Sequence, residues 1–445
     1  MVAAGAIALA LGGRAWQSQT FFEAADADHD GFVTRDEFRA ATAKWLGSND
    51  AANEGQLDAA MDPQFPSSMM TAMLAARGPQ NQTPKQTDVD KMMAALPSQA
   101  PAKPAQPRRV LVLSKAAGFV HSCIPLAART VQELGNKTGA WTTTVTYDSS
   151  AITADNLKQY DLVFLNNTTG AFLDDPDPAV TNARKTALLE FVRSGKGLAG
   201  IHAAGDSYHV SGPDAGGMGY MLAPLVMKVA DTDNDKTVST AEMITFTDTL
   251  FDKMDRQKTG KISDADFRSK FVMTMFGWGA SKGGSIFPAV GRQGPDHEVG
   301  TWPEFNKMIG GYFKFHWLYP QHIVYKIDDP SSPLTAMFRG QQFSIEDETY
   351  TFSVHSWSRH NLHVLTSIDY SKMSDADKQK EDFPRTDHDY GLSWIRREGK
   401  GRVFYEAHGH DEHVYALTPI LEHLLPGIQY ALGDLQANDA PSAAD

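Results

Sequence analysis

The chain has 445 residues, more than one hydrophobic core usually organises, so a main domain with one or two smaller units is expected. A formal net charge of -13, from 54 acidic against 41 basic side chains, argues against a polyanionic nucleic acid as partner. The single cysteine, Cys123, excludes an intrachain disulfide and a cysteine-rich zinc site.

Residues 1–15 carry an apolar run from Ala3 to Leu11, too short to span a bilayer, and then a small residue, Ala15, of the kind that signal peptidases cut after. No Lys or Arg precedes the run. It reads as the remnant of a signal peptide, which makes export to the periplasm or cell exterior the expectation. No integral membrane segment is expected.

Residues 16–76 follow as a helix, a twelve-residue loop and a helix, with Phe21, Phe22, Phe38 and Trp45 placed to close a small core. The loop, DADHDGFVTRDE, has the spacing of an EF-hand. Such a loop needs oxygen ligands at positions 1, 3, 5, 7, 9 and 12 and a glycine at 6. Asp26, Asp28, Asp30, the carbonyl of Phe32, Thr34 and Glu37 supply the ligands, and Gly31 the turn. Residues 77–108, rich in Pro, Gln and Ala, suit an extended linker with one short helix at Val89 to Leu96.

From Arg109 short apolar runs alternate with amphipathic stretches, the pattern of βαβ units on a parallel sheet. Strands are expected at Val110–Ser114, Trp141–Tyr147, Asp161–Asn166 and Gly197–His202, with helices at Ile124–Leu134, Ala154–Gln159 and Pro178–Ser194. An insertion spanning residues 213–298 interrupts this α/β domain, which runs over 109–434. Later strands fall at His322–Ile327, Leu362–Ile368, Leu392–Arg396 and Arg402–Glu406. A closing helix covers Thr418–Leu432, and residues 435–445 are expected to be a disordered tail.

The insertion carries two further loops. In DTDNDKTVSTAE the ligands are Asp231, Asp233, Asp235, Thr237, Ser239 and Glu242, with Lys236 where glycine belongs. A left-handed backbone there costs about 1 kcal/mol, so binding is still expected. In DRQKTGKISDAD the ligands would be Asp255, Gln257, Thr259, the carbonyl of Lys261 and Asp266, a set with too little charge for tight calcium binding. One helix, about Ala241–Lys253, joins these two loops. They are expected to pair through Val238 and Ile262, with the Asp26 loop acting independently and calcium at Asp231–Glu242 ordering a wall of the main site.

The runs VLSKAAGFVHSCI (112–124), VFLNNTTG (163–170), GLAGIHAAGD (197–206), IGGYFKFHW (309–317), EDETY (346–350), HVLTSID (363–369) and GRVFYEAHGH (401–410) resemble the ThuA-like, trehalose-utilisation family. That resemblance implies a flavodoxin-like α/β sheet, akin to class I glutamine amidotransferases without their catalytic cysteine, and a role in sugar or keto-sugar metabolism. Carried over residue by residue, it marks His121, His202, Asp206, Glu348, Tyr350 and His410 as catalytic. Phe119, Thr168, His209 and His316 are assigned to substrate binding. Trp317 departs from the proline that commonly follows the histidine in that motif.

In an open α/β sheet ligands bind at the carboxyl ends of the strands, where His121, Thr168 and His202 fall. Three functions follow as expectations. The first is an exported enzyme acting on a glycoside or keto-sugar by His and carboxylate acid–base chemistry. The second places zinc or another divalent metal at the histidines. The third is a non-catalytic, calcium-dependent carbohydrate-binding or scaffold protein.

Overall fold

The computed structural model describes residues 25–49, 56–58, 80–208, 229–235, 237–263, 266, 274, 278, 300–380 and 384–443. Two compact units divide the chain, one built from Gln80–Val210 and Gln293–Asp445, the other from Met1–Pro79 and Ser211–Arg292. No described helix is long and apolar enough to cross a membrane. The signal-peptide expectation concerns residues 1–15, which lie outside the described residues.

The larger unit is organised by a nine-stranded sheet. Its strands are β1 (Arg109–Leu113), β2 (Thr142–Thr146), β3 (Leu162–Asn166), β4 (Gly197–Ile201), β5 (Phe313–Ile327), β6 (Phe343–Phe352), β7 (His363–Ile368), β8 (Gly391–Glu398) and β9 (Gly401–Glu406). Their order is β6-β5-β7-β8-β9-β4-β3-β1-β2. The expected parallel sheet is present in β2-β1-β3-β4-β9, and the other four strands are antiparallel. The reversal between β8 and β9 is forced by their two-residue connection, Gly399-Lys400, with Gly399 at φ +59. A parallel pair would need a crossover of a dozen residues.

The inner parallel strands β1, β3 and β4 are apolar on both faces because helices cover both sides, whereas the edge strand β2, TTTVT, is partly exposed. All of β3, LVFLN, is buried. Helix α1 (Ile124–Thr138) starts with Pro125 in its first turn and stops at Gly139, φ +67, while Leu126, Val131 and Leu134 face the sheet. Helix α2 (Pro178–Arg193) is capped by Asp177, which accepts from the Ala179 N–H at 2.8 Å. Helix α3 (Thr418–Leu432) is buried along almost its whole length. It lies so close to β4 that a Cβ at Gly197 would sit 2.4 Å from the Ala431 carbonyl oxygen.

Two segments expected to be loose are docked on this unit. In the linker, Met92 of helix Gln86–Ala95 is buried, Ala102 N–H donates to Gln429 Oε1 at 3.1 Å, and Arg108 pairs with Asp434 at 2.6 Å. Composition predicted its irregular backbone; a few apolar and paired side chains fasten it nevertheless. The expected disordered tail is likewise held as far as residue 443: Ser442 N–H donates to Leu362 O at 2.9 Å, and the Ala440 carbonyl meets His363 Nδ1 at 2.7 Å.

The smaller unit corrects the expected pairing of the insertion. Strand Phe32–Thr34 pairs antiparallel with Lys261–Ser263, placing Val33 opposite Ile262. Strand Gln56–Asp58 pairs with Thr237–Ser239, placing Leu57 opposite Val238. Val238 and Ile262 therefore do not pair with each other, and the Asp26 loop is not independent. The reason is geometric. The 15-residue helix Thr240–Met254 joins the Asp231 and Asp255 loops, and at 1.5 Å per residue it sets its ends about 22 Å apart. Helix Arg35–Asn49 separates its two strands in the same way, so each strand takes its partner from the other helix's ends. The two helices meet through Phe38 and Phe251, with ring centroids 6.3 Å apart, and through Arg39 and Asp248 at 2.5 Å. The wall expected beside the main site turns on residues 209–228, outside the described residues.

Candidate functional site

Four parallel strands deliver side chains at their carboxyl ends, as open α/β sheets do. His121 lies in the turn between β1 and α1, Thr168 follows β3, His202 directly follows β4, and His410 follows β9. His202 sits in the strand-to-helix turn with a left-handed backbone, φ +44. For a non-glycine residue that conformation costs on the order of 1–2 kcal/mol, so the surrounding packing must impose it. Its carbonyl accepts from the Tyr405 hydroxyl, and its Nδ1 lies 2.8 Å from the Ala407 carbonyl oxygen. A carbonyl only accepts, so Nδ1 carries the proton and Nε2 presents a lone pair when the ring is neutral.

The antiparallel half of the sheet completes the site. His316 on β5 stands opposite Tyr350 on β6, and Glu348 lies where the register breaks between Asp347 and Thr349. Such irregularities re-aim side chains beside functional sites. Here the break lets two consecutive carboxylates, Asp347 and Glu348, both point inward and be buried.

Glu348 is the hub. Its Oε1 lies 3.5 Å from His202 Nε2 and 3.4 Å from His410 Nδ1, and its Oε2 lies 3.3 Å from His316 Nδ1. The ring centroids of His121 stand 4.9 Å from those of both His202 and His410. One ligating atom from each of His121, His202, His410 and Glu348 lies within 4.8 Å of the other three. His121 Nδ1 and His202 Nε2 are buried and accept no hydrogen bond.

Charge follows from this crowding. Burial, reinforced by the neighbouring His202 and His410 rings, pushes the His121 pKa well below the ordinary imidazole value, so it is a neutral donor. Burial lowers His316 as well, against the attraction of Glu348. Burial would raise Glu348, but His316, His202 and His410 outweigh it and hold the carboxyl well below its usual range. His410 is desolvated too, yet its contact with Glu348 leaves its pKa raised.

The remaining expected residues divide. Tyr350 packs against His202 with ring centroids 4.2 Å apart, and burial drives its hydroxyl pKa well up. Asp206 is partly exposed and acts electrostatically on both His316 and Tyr350. Phe119, 36% exposed, lies at the rim with its ring 4.8 Å from His121 and 6.5 Å from His410. Thr168, expected to bind substrate, is buried with its hydroxyl 2.9 Å from Ser207 Oγ, which itself donates to the Thr168 carbonyl. His209 lies outside the described residues. Trp317, which departs from the proline common at that place in the motif, is buried and donates to the Asp377 carbonyl at 2.9 Å. Sequence reasoning missed Asp347, which accepts the backbone N–H groups of Gly409 and His410. A run of three acids, Glu346 to Glu348, inside a strand was the available signal.

The carboxylate loops of the smaller unit have their own geometry. Asp26 accepts the N–H groups of Asp30 and Gly31 at 3.1 and 3.0 Å, with Gly31 at φ +84, while Glu37 reaches back to Ala27 and Thr34 at 3.0 and 2.9 Å. Oxygens of Asp26, Asp28 and Glu37 converge, as do those of Asp231, Asp233 and Glu242. Glu242 accepts from the backbone of Ser239 and Thr232, and these bonds pull its pKa down to about 2. Around Asp255 no comparable convergence occurs among the described residues; its oxygens take the N–H groups of Thr259 and Gly260. Lys236 lies outside the described residues.

A family model described as ThuA, trehalose utilisation, matches residues 109–260 and 281–431. Among solved structures, a ThuA-like protein of Bacteroides uniformis is similar at 15% identity over 74% of this chain and 94% of its own, with a TM-score of 0.42. A ThuA-like protein of Parabacteroides merdae is similar at 14% identity over 75% of this chain and 93% of its own, with a TM-score of 0.37. No curated protein matches.

Proposed function

The chain belongs to the ThuA, trehalose-utilisation family, and from that premise we propose that it is an enzyme acting on a carbohydrate, a glycoside or keto-sugar, with a divalent transition metal held by His121, His202, His410 and Glu348. One observation carries this reading. His202 Nδ1–H is committed to the Ala407 carbonyl, so the neutral ring turns a lone pair toward a carboxylate oxygen 3.5 Å away. Two acceptors facing each other in a buried site call for a cation between them.

The donor set suits the cation. Three imidazoles and one carboxylate are characteristic ligands of zinc and its neighbours, and a ligating histidine typically donates its other N–H to a backbone carbonyl, as His202 does. The chemistry such an ion supplies when bound is polarisation of a sugar oxygen or activation of a water. The chain's own groups do the rest. His316, on the far oxygen of Glu348, and Asp206 beside it are the groups placed to bind sugar hydroxyls or exchange a proton with them. Phe119 offers a ring face at the rim, and Tyr350 closes the floor beneath His202.

The test is metal analysis of the purified full chain together with turnover of glycosides and 3-keto-glycosides. Stoichiometric transition metal, and loss of both metal and turnover in His202→Ala, are the expected results. A metal-free wild type that still turns sugars over overturns the metal and favours acid–base chemistry alone. Binding without turnover favours a carbohydrate-binding protein.

A second role rests on a separate observation, the convergence of Asp26, Asp28 and Glu37 and of Asp231, Asp233 and Glu242. These groups supply the hard oxygen ligands that calcium takes in helix–loop–helix sites. Titration by calorimetry is expected to show two calcium ions per chain, with one lost in Glu242→Gln; no heat at either loop overturns this role.

A further inference from the structure

His410 is the most exposed of the histidines gathered at Glu348 and lies in the irregular segment past the end of β9, so its ring must be fixed from outside that strand. The peptide group that precedes it, from the Gly409 carbonyl to the His410 N–H, is held at both ends by buried side chains from three elements. On the amide side, Asp347 Oδ2 accepts the Gly409 N–H at 2.7 Å and the His410 N–H at 3.3 Å. On the carbonyl side, Gly409 O accepts from the Tyr415 hydroxyl at 2.9 Å and from Cys123 Sγ at 3.1 Å. Asp347 comes from β6, Cys123 from the residue before α1, and Tyr415 from the turn preceding α3.

Gly409 itself is required. Its φ of +131 is open to glycine alone at little cost, and a Cβ there would meet the Tyr415 hydroxyl at 2.7 Å. The left-handed bend brings two successive N–H groups onto one carboxylate oxygen, a small anion-binding concavity made by the backbone. Asp347 and Glu348 are adjacent, so one irregular stretch of β6 holds the backbone of His410 with one carboxylate and faces its ring with the next.

We propose that Asp347, Tyr415 and Cys123 form a peptide clamp that aims the His410 ring at the Glu348 centre, with Asp347 as its principal positioning residue. None of the three touches the metal or the sugar in this scheme. They act through His410, as outer groups orient first ligands in metal sites. The single cysteine then has a packing role in the clamp. Its Sγ faces a carbonyl oxygen, which only accepts, so the S–H is the donor.

The proposal rests on the metal reading above, so the experiment separates the two. Zinc affinity of the full chain is measured by competition with a chelator for wild type, Asp347→Ala, Asp347→Asn and Tyr415→Phe. Loss of an outer-shell partner typically costs about 10- to 100-fold in metal affinity, and that loss is expected for Asp347→Ala. Asp347→Asn keeps an acceptor oxygen and is expected to recover part of it, and Tyr415→Phe, which leaves the Cys123 donor, to lose less. Unchanged affinity in all three folded variants overturns the clamp. If wild type binds no zinc, the metal reading fails and the clamp is decided by nitrogen NMR of the histidine rings in the metal-free chain. His410 resonances that move in Tyr415→Phe while His363 stays fixed support it; unmoved His410 resonances overturn it.

Discussion

The two regions of this chain that gather potential metal ligands are built on opposite plans. The loops of the smaller unit draw their carboxylates from twelve consecutive residues, and Asp26 and Glu37 accept N–H groups of their own loop's backbone. The histidine centre draws its groups from β5 and β6 and the turns after β1, β4 and β9, buries His121, His202 and Glu348, and leaves His121 Nδ1 and His202 Nε2 without hydrogen bonds. A local set tolerates an empty state because water and backbone satisfy it. A dispersed buried set does not, since each unpaired polar atom costs free energy until something occupies the middle.

The largest test of that contrast is removal of one buried ligand. His202→Ala is expected to release the metal and to lower turnover by at least about 100-fold, the upper end of what loss of a group that only orients a metal ligand costs. Steady-state kinetics and metal analysis check it. No mutation in the smaller unit's loops is expected to match that loss of turnover, and one that did would break the contrast.

Acid separates the units next. Glu406, fully buried against His408 and His423, is subject to burial that would raise its pKa, but these partners pull it down to about 2. A depressed carboxyl pKa contributes stability that is present above its unfolded value, near 4.5, and is lost as pH falls through 2. The contribution is on the order of 3 kcal/mol, taking 1.36 kcal/mol for each pH unit. Denaturant melts from pH 6 to pH 2 are expected to show the larger unit weakening across that window, and Glu406→Gln to flatten the slope.

Calcium is expected to act on the other unit. At one hundred times its Kd it stabilises a folded unit by about 2.7 kcal/mol per site, and Glu242→Gln is expected to remove one site's share. Calorimetric scans with and without calcium read this out. The smallest test concerns pairing. Ile262→Val, which deletes one buried methylene at a cost of about 1 kcal/mol, is expected to weaken calcium at the Asp26 loop, because Ile262 faces Val33. A greater effect at the Asp231 loop would restore the pairing that the sequence suggested.

That pairing marks where sequence reading stopped. Twelve-residue spacing is a local property, so the convergence of Asp26, Asp28 and Glu37 and of Asp231, Asp233 and Glu242 was legible at once. Their partners were not, because a stiff helix carries each strand away from its chain neighbour and the degenerate Gln56–Asp58 strand carries no ligand signal. The five parallel strands were legible from apolar runs bounded by turns. Strand β6 was not, since FSIEDETYTF mixes acidic and aromatic residues with no clean alternation. Motif resemblance supplied His121, His202, Glu348 and His410, but only three dimensions show that Thr168 is bonded to Ser207 and that Asp347 accepts the His410 N–H. Gly399-Lys400 did announce the antiparallel turn, and it was there to be read.

The split origin of the smaller unit also sets an order of events during synthesis. Val33 leaves the ribosome with its strand partner Ile262 roughly 230 residues behind, a wait of about 10–45 s at ordinary rates of translation. Through that interval Phe32–Thr34 is an unpaired edge, and the first half of the larger unit is completed before it finds its mate. Newborn chains are therefore most exposed to chaperones and to wrong strand partners at this point, however stable the finished protein is.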